Sequence, residues 1–297
     1  IFIFKKTDQI NISNNNLSSY NIFFIIGSGR SGNTLLRAML LTQKNIVIPP
    51  ELHCMRKMII TALKNRNMNW FNLCSSVMNI FFNAPSSFDW HLDKNKLRDQ
   101  MKKIEPKNRN IENLILSFYH AYAEKNGYSE NYIVGDKTPL NSSLLFLINL
   151  VFKNAKYIHI HRDGRDVVNS YVKSKLYKSY KYAAFRWNRN INQIFKFKLY
   201  LERKKSTDRF HSLSYENLVM NGETTVRKLC KFLEIKYDKK MINSYSEKFN
   251  SMGDTYQKHH SNIRKKIFST SIGNWKNIPK EQQKIILTII QKNLKKL

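Results

Sequence analysis

Hydrophobic and polar positions along the chain repeat a strand–turn–helix rhythm. Five apolar residues, Ile22–Ile26, run unbroken into a glycine-rich turn over 27–34, and a helix-forming stretch follows over 34–41. An uninterrupted apolar run of this length predicts a strand covered on both faces of a parallel sheet. A shorter run, 45–48, stops at Pro49 and Pro50 and leaves Glu51 just beyond it. Further strands are predicted at 132–134, 156–161 and 210–214. Helices are predicted at 141–152, from the RDGRD segment (162–166) through about 174, at 180–205, at 223–233 and from Pro279 onward. Between 53 and 130 the pattern is helical and irregular, broken at Pro85 and Pro106. Strands alternating with helices imply an α/β fold of three layers, a P-loop-like central parallel sheet flanked by helices. Ligands of such sheets sit beyond the carboxyl ends of the strands. Arg30, Glu51, Lys137 and Arg162 all follow predicted strands, so four chemically useful side chains are expected on one rim.

The turn over 27–34 fits the spacing G-x-x-x-x-G-K-[ST] with one change, Asn33 in place of the lysine. That lysine reaches the outer phosphates of a nucleoside triphosphate, while loop amides wrap the phosphate nearest the turn. A loop that keeps Gly27, Gly32 and Thr34 but lacks the lysine suits a shorter anionic group, and Arg30 supplies positive charge from a different place. Glycine-rich turns between strand and helix are common, so the neighbouring motifs decide whether this one binds an anion.

Composition changes this picture little. The 297 residues suffice for one large α/β domain or two small ones. Lys and Arg number 51 against 21 Asp and Glu, a formal charge of +30, which invites a nucleic-acid reading. The lysines are scattered, however, and cluster little beyond pairs at 5–6, 204–205 and 265–266. The charge reads as compositional bias with a general attraction for anions, and no specific nucleic-acid partner is expected. Cys54, Cys74 and Cys230 form no C-x-x-C pair; each reads as a small buried hydrophobe, with no metal site expected. No apolar run approaches the length of a membrane span. The chain starts at Ile1 without a methionine, so a leader or anchor could have been lost, and the sequons at Asn11, Asn16 and Asn141 are ones that an Asn-rich chain produces by accident.

Several motifs together carry a family resemblance. GSGRSGNTLLRAML (27–40) resembles the 5′-phosphosulfate loop of sulfotransferases, and HRDGRDVVNS (161–170) resembles their 3′-phosphate motif. GDKTP (135–139), FRWNRNI (185–191), SYENLVMNGETTVRKLCKFLEI (214–235) and SIGNW (271–275) extend it. Order and spacing are similar to those of the tyrosylprotein-sulfotransferase-like and related bacterial branch. The resemblance implies 3′-phosphoadenosine 5′-phosphosulfate (PAPS) as donor, adenosine 3′,5′-bisphosphate (PAP) as product and an acceptor bearing a hydroxyl group, with no divalent metal required. It implies that Gly29, Arg30, Ser31, Gly32, Asn33 and Thr34 hold the 5′-phosphate. Arg30 and Lys137 would neutralise charge on the oxygen between phosphorus and sulfur, Arg162 and Ser170 would grip the 3′-phosphate, and Tyr215 would lie against the adenine. Glu51 is expected to be the general base, with His53 as the alternative.

This chain departs from the family in Gly29 and Asn33, where proline and threonine are usual, and in Lys173 and Lys175, where one arginine is expected. The cysteines of the Golgi enzymes have no counterparts, which favours a cytoplasmic protein over a Golgi one. The expected organisation is a polar, poorly ordered lead-in over 1–20 and a single sulfotransferase domain over 21–297. The helical insertion 61–130, with 251–272, would form the acceptor side, and a dimer is compatible with the sequence. Plainer readings exist for single residues: Lys137 as a solvated turn residue, Arg162 paired with Asp166 at i+4, Glu51 as an exposed cap, Trp187 and Trp275 as core anchors, His259 and His260 as solvated loop. The rival whole-chain readings are a P-loop kinase or NTPase, disfavoured by Asn33, and a basic nucleic-acid-binding protein.

Overall fold

The computed structural model describes residues 9–13, 22–129, 131–250 and 269–297. Five parallel strands form one sheet in the order β2-β3-β1-β4-β5. They are β1 (Ile22–Ile26), β2 (Ile46–Val47), β3 (Ile133–Asp136), β4 (Lys156–His161) and β5 (Phe210–Ser214). All five residues of β1 are buried, as its apolar run requires of a central strand. Phe24 stands opposite Asp136 on one side and Tyr157 on the other, which fixes the register of β3 and β4.

Side-chain alternation sorts the core into two layers. Ile158 and Ile160 pack with Phe23, α1 (Asn33–Leu40) and α10 (Gly222–Leu233) on one face. On the other face Tyr157 joins Phe24, α6 (Leu145–Val151) and α8 (Tyr180–Arg203). Helices α2 (Met55–Lys64), α3 (Trp70–Phe82), α4 (Lys94–Lys102) and α5 (Ile111–Lys125) share this second core, through Met58, Phe81, Leu97 and Phe118. Phe81 and Phe118 meet with ring centres 4.7 Å apart, and burying each such ring stabilises the fold by about 1.5–3 kcal/mol. A third cluster joins α7 (Gly164–Lys173), Trp187 of α8 and the closing helix Lys280–Leu294.

Local chemistry accounts for the helix ends. Asn69, Asp93 and Asn110 cap α3, α4 and α5, each side chain accepting the N–H three residues on. Pro85 and Pro106 each open a short 3₁₀ turn. The helix expected over 141–152 is instead a 3₁₀ turn, Pro139–Ser143, followed by α6. The cause is long-range: the Ser142 hydroxyl is held at Gly27, accepting its N–H at 3.0 Å and donating to its carbonyl at 3.1 Å.

Of the lead-in, residues 9–13 are described, and they lie against the chain. Ile10 N–H donates to Arg66 O, and Asn11 and Ile12 carbonyls accept from Ile111 and Glu112 at the start of α5. The rest of the expectation for 1–20 falls outside the described residues. So does most of the basic segment 251–272, with His259 and His260. Cys74 and Cys230 are buried and Cys54 half-buried, all as free thiols. Among the described residues no helix is long and apolar enough to cross a membrane.

Candidate active site

The loop after β1 is shaped by close approaches. A side chain on Gly27 would put Cβ 2.4 Å from the Ile160 carbonyl oxygen. Gly32 takes the left-handed region (φ +95°), and a Cβ there would sit 2.6 Å from the Tyr215 ring. Arg30 also lies in the left-handed region (φ +64°), at a cost of about 1–2 kcal/mol for a residue with a side chain. Across the turn the hydroxyls of Ser28 and Ser31 meet at 2.7 Å. Asn33, in the lysine position, folds back and donates from Nδ2 to Ser28 O at 2.8 Å. It therefore braces the loop instead of reaching outward. Ser31, Asn33 and Thr34 are buried, and the first amides of α1 have no intrahelical partner, which makes this helix start a place for an anion.

On the β2–β3 side of the loop stands an ion pair. Lys137, 2% exposed, donates to Glu51 Oε1. The segment carrying Glu51 is fixed from two directions. Buried Arg37 of α1 donates to Ile48 O at 3.2 and 2.7 Å, and the Leu52 N–H donates to Thr138 Oγ1 at 2.9 Å. Burial pushes the Glu51 carboxyl up, but Lys137, with His53 and Arg37, outweighs it and holds the group below its ordinary pKa. His53, half exposed, places Nε2 at 3.4 Å from Glu51 Oε2. Behind the pair, Asp136 accepts from Tyr119 at 2.8 Å and from Asn141 at 2.8 Å. Burial pushes its carboxyl up to about 6, against the hydrogen bonds that lower it. Lys137 is thus a buried ion-pair member, not a solvated turn residue, and Glu51 is not a free cap.

On the β4–β5 side stands a cationic cluster. Arg30 Nε donates to Ser170 Oγ at 3.1 Å, and Arg162 donates to Arg30 O at 3.1 Å and to Ser271 O. The Arg162 guanidinium lies 4.7 Å from the Tyr215 ring centre, and its buried Nε has no partner among the described residues. Burial first and then Arg162 lower the pKa of Arg30. Arg162 thus holds the backbone of Arg30, whose own guanidinium meets the Ser170 hydroxyl, and the two cations lie close enough for one to shift the pKa of the other. Arg30 therefore meets Ser170 and Arg162, the two residues that the resemblance assigns to the 3′-phosphate. Asp166 does not pair with Arg162; it accepts from the Gly273 and Trp275 amides at 2.7 and 2.9 Å. Asn169 donates to Asn274 O at 3.1 Å, and the Arg165 guanidinium covers the Trp275 ring at 3.7 Å. The SIGNW turn is thereby clamped onto α7, bringing the Ser271 carbonyl to Arg162. Trp187 is fully buried and Trp275 packs against the third core cluster.

Arg37, Asp136, Thr138 and Asp166 were not singled out in the sequence as site-forming. The one available signal was for Arg37, a lone cation inside the apolar run LLRAML. Among the described residues no group of His, Cys, Asp and Glu could hold a metal ion.

Residues 23–239 match the model of the Sulfotransferase family. The chain is 25% identical over 228 residues to protein-tyrosine sulfotransferase 1 of Danio rerio, covering 75% of this chain and 55% of that protein. It is 26% identical over 241 residues to the protein-tyrosine sulfotransferase of Drosophila melanogaster, covering 77% and 42%. The chain thus spans about half the length of the curated relatives it matches. Among solved structures, the sulfotransferase domain of the Synechococcus PCC 7002 olefin synthase superposes with a TM-score of 0.62 at 23% identity, covering 97% of both chains. The sulfotransferase domain from the curacin biosynthetic pathway does so at 0.55 and 22%, covering 91% of this chain and 97% of that one. These two share the fold described above, and the family match runs from β1 past α10: the chain belongs to the sulfotransferase family.

Proposed function

We propose that the protein moves the sulfuryl group of PAPS to an acceptor hydroxyl and releases PAP. The observation that carries this reading is the division of the strand-end rim. An acid–cation pair, Glu51–Lys137, stands on the β2–β3 side of the loop, and a two-arginine seat stands on the β4–β5 side. The donor supplies an activated sulfuryl group and two phosphate-bearing positions. The residues fit such a molecule: Arg162 Nε is buried and unpartnered among the described residues, and the Tyr215 ring closes on Gly32 where any larger residue would intrude.

In this reading the amides of residues 29–34 hold the 5′-phosphate, while Arg30, Arg162 and Ser170 hold the 3′-phosphate and Tyr215 flanks the base. Glu51 is ionised at neutral pH and accepts the proton of the attacking hydroxyl. As Glu51 gains that proton its hold on Lys137 weakens, and Lys137 is left to balance negative charge on the oxygen that departs with phosphorus. The helices over 61–130 form the acceptor side. The relatives named as protein-tyrosine sulfotransferases make a tyrosine hydroxyl the first acceptor to try.

The test is incubation with sulfur-labelled PAPS and panels of tyrosine peptides, glycans and small alcohols, in EDTA. Transfer of label to one class is expected. Magnesium-dependent phosphoryl transfer from ATP, with no transfer from PAPS to any panel, would instead favour the kinase reading.

A further inference from the structure

A cavity of about 420 Å³ lies between α8 and the β4–β5 edge, on the sheet face turned away from the phosphate loop. Along β4, Ile158 and Ile160 face the loop and α1, so His159 and His161 face the other way. His159 is 2% exposed; its Nδ1 lies 3.3 Å from Ser212 Oγ, and its Nε2 has no partner among the described residues. Burial pushes His159 down to about 3 and His161 to about 4, leaving both rings neutral and able to donate or accept. Lys198, which also pairs with Glu202 at 3.8 Å, and Lys296 contribute positive charge, Phe195 and Phe210 are apolar walls, and no Asp or Glu is among the described residues lining the cavity.

We propose that this cavity is a second binding site, separate from the donor site, for a small organic anion with an aromatic or aliphatic body. Its carboxylate, sulfonate or phosphate head lies against Lys198 and Lys296. Its body packs on Phe195 and Phe210. Neutral histidines in the interior and lysines outside them favour a ligand charged at one end only, over a polyanion such as nucleic acid.

The probe is 8-anilinonaphthalene-1-sulfonate, titrated by fluorescence into the whole protein with and without saturating PAP. Binding that persists in PAP is expected. It should weaken about tenfold in the double variant Lys198→Glu, Lys296→Glu. PAP affinity should be unchanged in that variant. Probe binding that PAP abolishes, or that the lysine double variant leaves intact, would overturn the proposal. Should PAP itself not bind, the titration without it still tests the cavity, because Lys198 and Lys296 do not form the donor site.

Discussion

If Glu51 is the base proposed above, Glu51→Gln separates proton transfer from binding. The amide keeps an oxygen where Lys137 donates, so Lys137, almost fully buried, retains a hydrogen-bond acceptor. Arg37 and Thr138 hold the backbone on either side of position 51 through Ile48 and Leu52, and neither contact uses the Glu51 side chain. Fold and PAP affinity should therefore survive, while the ability to take a proton is lost. General base catalysis contributes about 10²–10⁴-fold, so kcat should fall by that factor, about 2.7–5.5 kcal/mol of barrier. The pH profile gives an independent reading. Lys137 holds the Glu51 carboxyl below its ordinary value, so the acidic limb of kcat/KM should lie below the usual carboxylate range and vanish in Glu51→Gln. The assay is steady-state sulfuryl transfer between pH 3 and 8 on both proteins, with melting curves to verify folding. Turnover within about threefold of the parent, or an acidic limb at pH 6–7 where ordinary histidines titrate, would refute the assignment and point to His53.

Three further outcomes follow from the same geometry. Lys137→Ala should cut kcat by about 10²–10³ while retaining an acidic limb, checked in the same assay. Gly32→Ala should weaken PAP binding at least tenfold by calorimetry, since it forces φ +95° on alanine and drives Cβ into the Tyr215 ring. Acid should destabilise the fold above the range where most carboxylates titrate. His159 and His161 titrate near 3 and 4 when folded, against about 6.5 unfolded, so the unfolded chain binds more protons and stability falls as pH drops from 7 to 5. Asp136, raised to about 6, acts in the opposite sense between 6 and 5. The net loss should be about 2–3 kcal/mol in urea titrations, and equal stability at the two pH values would contradict it.

The apolar runs made most of the sheet legible. Lys156–His161 and Phe210–Ser214 have the expected bounds, because a strand buried between helices must be apolar throughout or alternate cleanly. The helix expected from 141 misread because Ser142 answers to Gly27, 115 positions away, and not to its local periodicity. The side-chain partners were less legible still. Arg30 turns to Ser170 across 140 positions, and Asp166 to the amides of the SIGNW turn across more than 100. Local spacing could suggest only the i+4 pairing of Asp166 with Arg162. Loop chemistry was readable from residue types, whereas which charge meets which depends on how helices far apart in sequence dock.

The central claim, a seat for a nucleotide carrying both 3′- and 5′-phosphates, is tested most directly by comparing PAP with 5′-AMP in calorimetry at fixed ionic strength. Charge-assisted contacts contribute about 1.5–3 kcal/mol each, so two arginines and a serine facing the 3′-phosphate should favour PAP by about 10² or more. Arg162→Ala should erase most of that preference. Equal affinity of the parent protein for PAP and 5′-AMP would contradict the account.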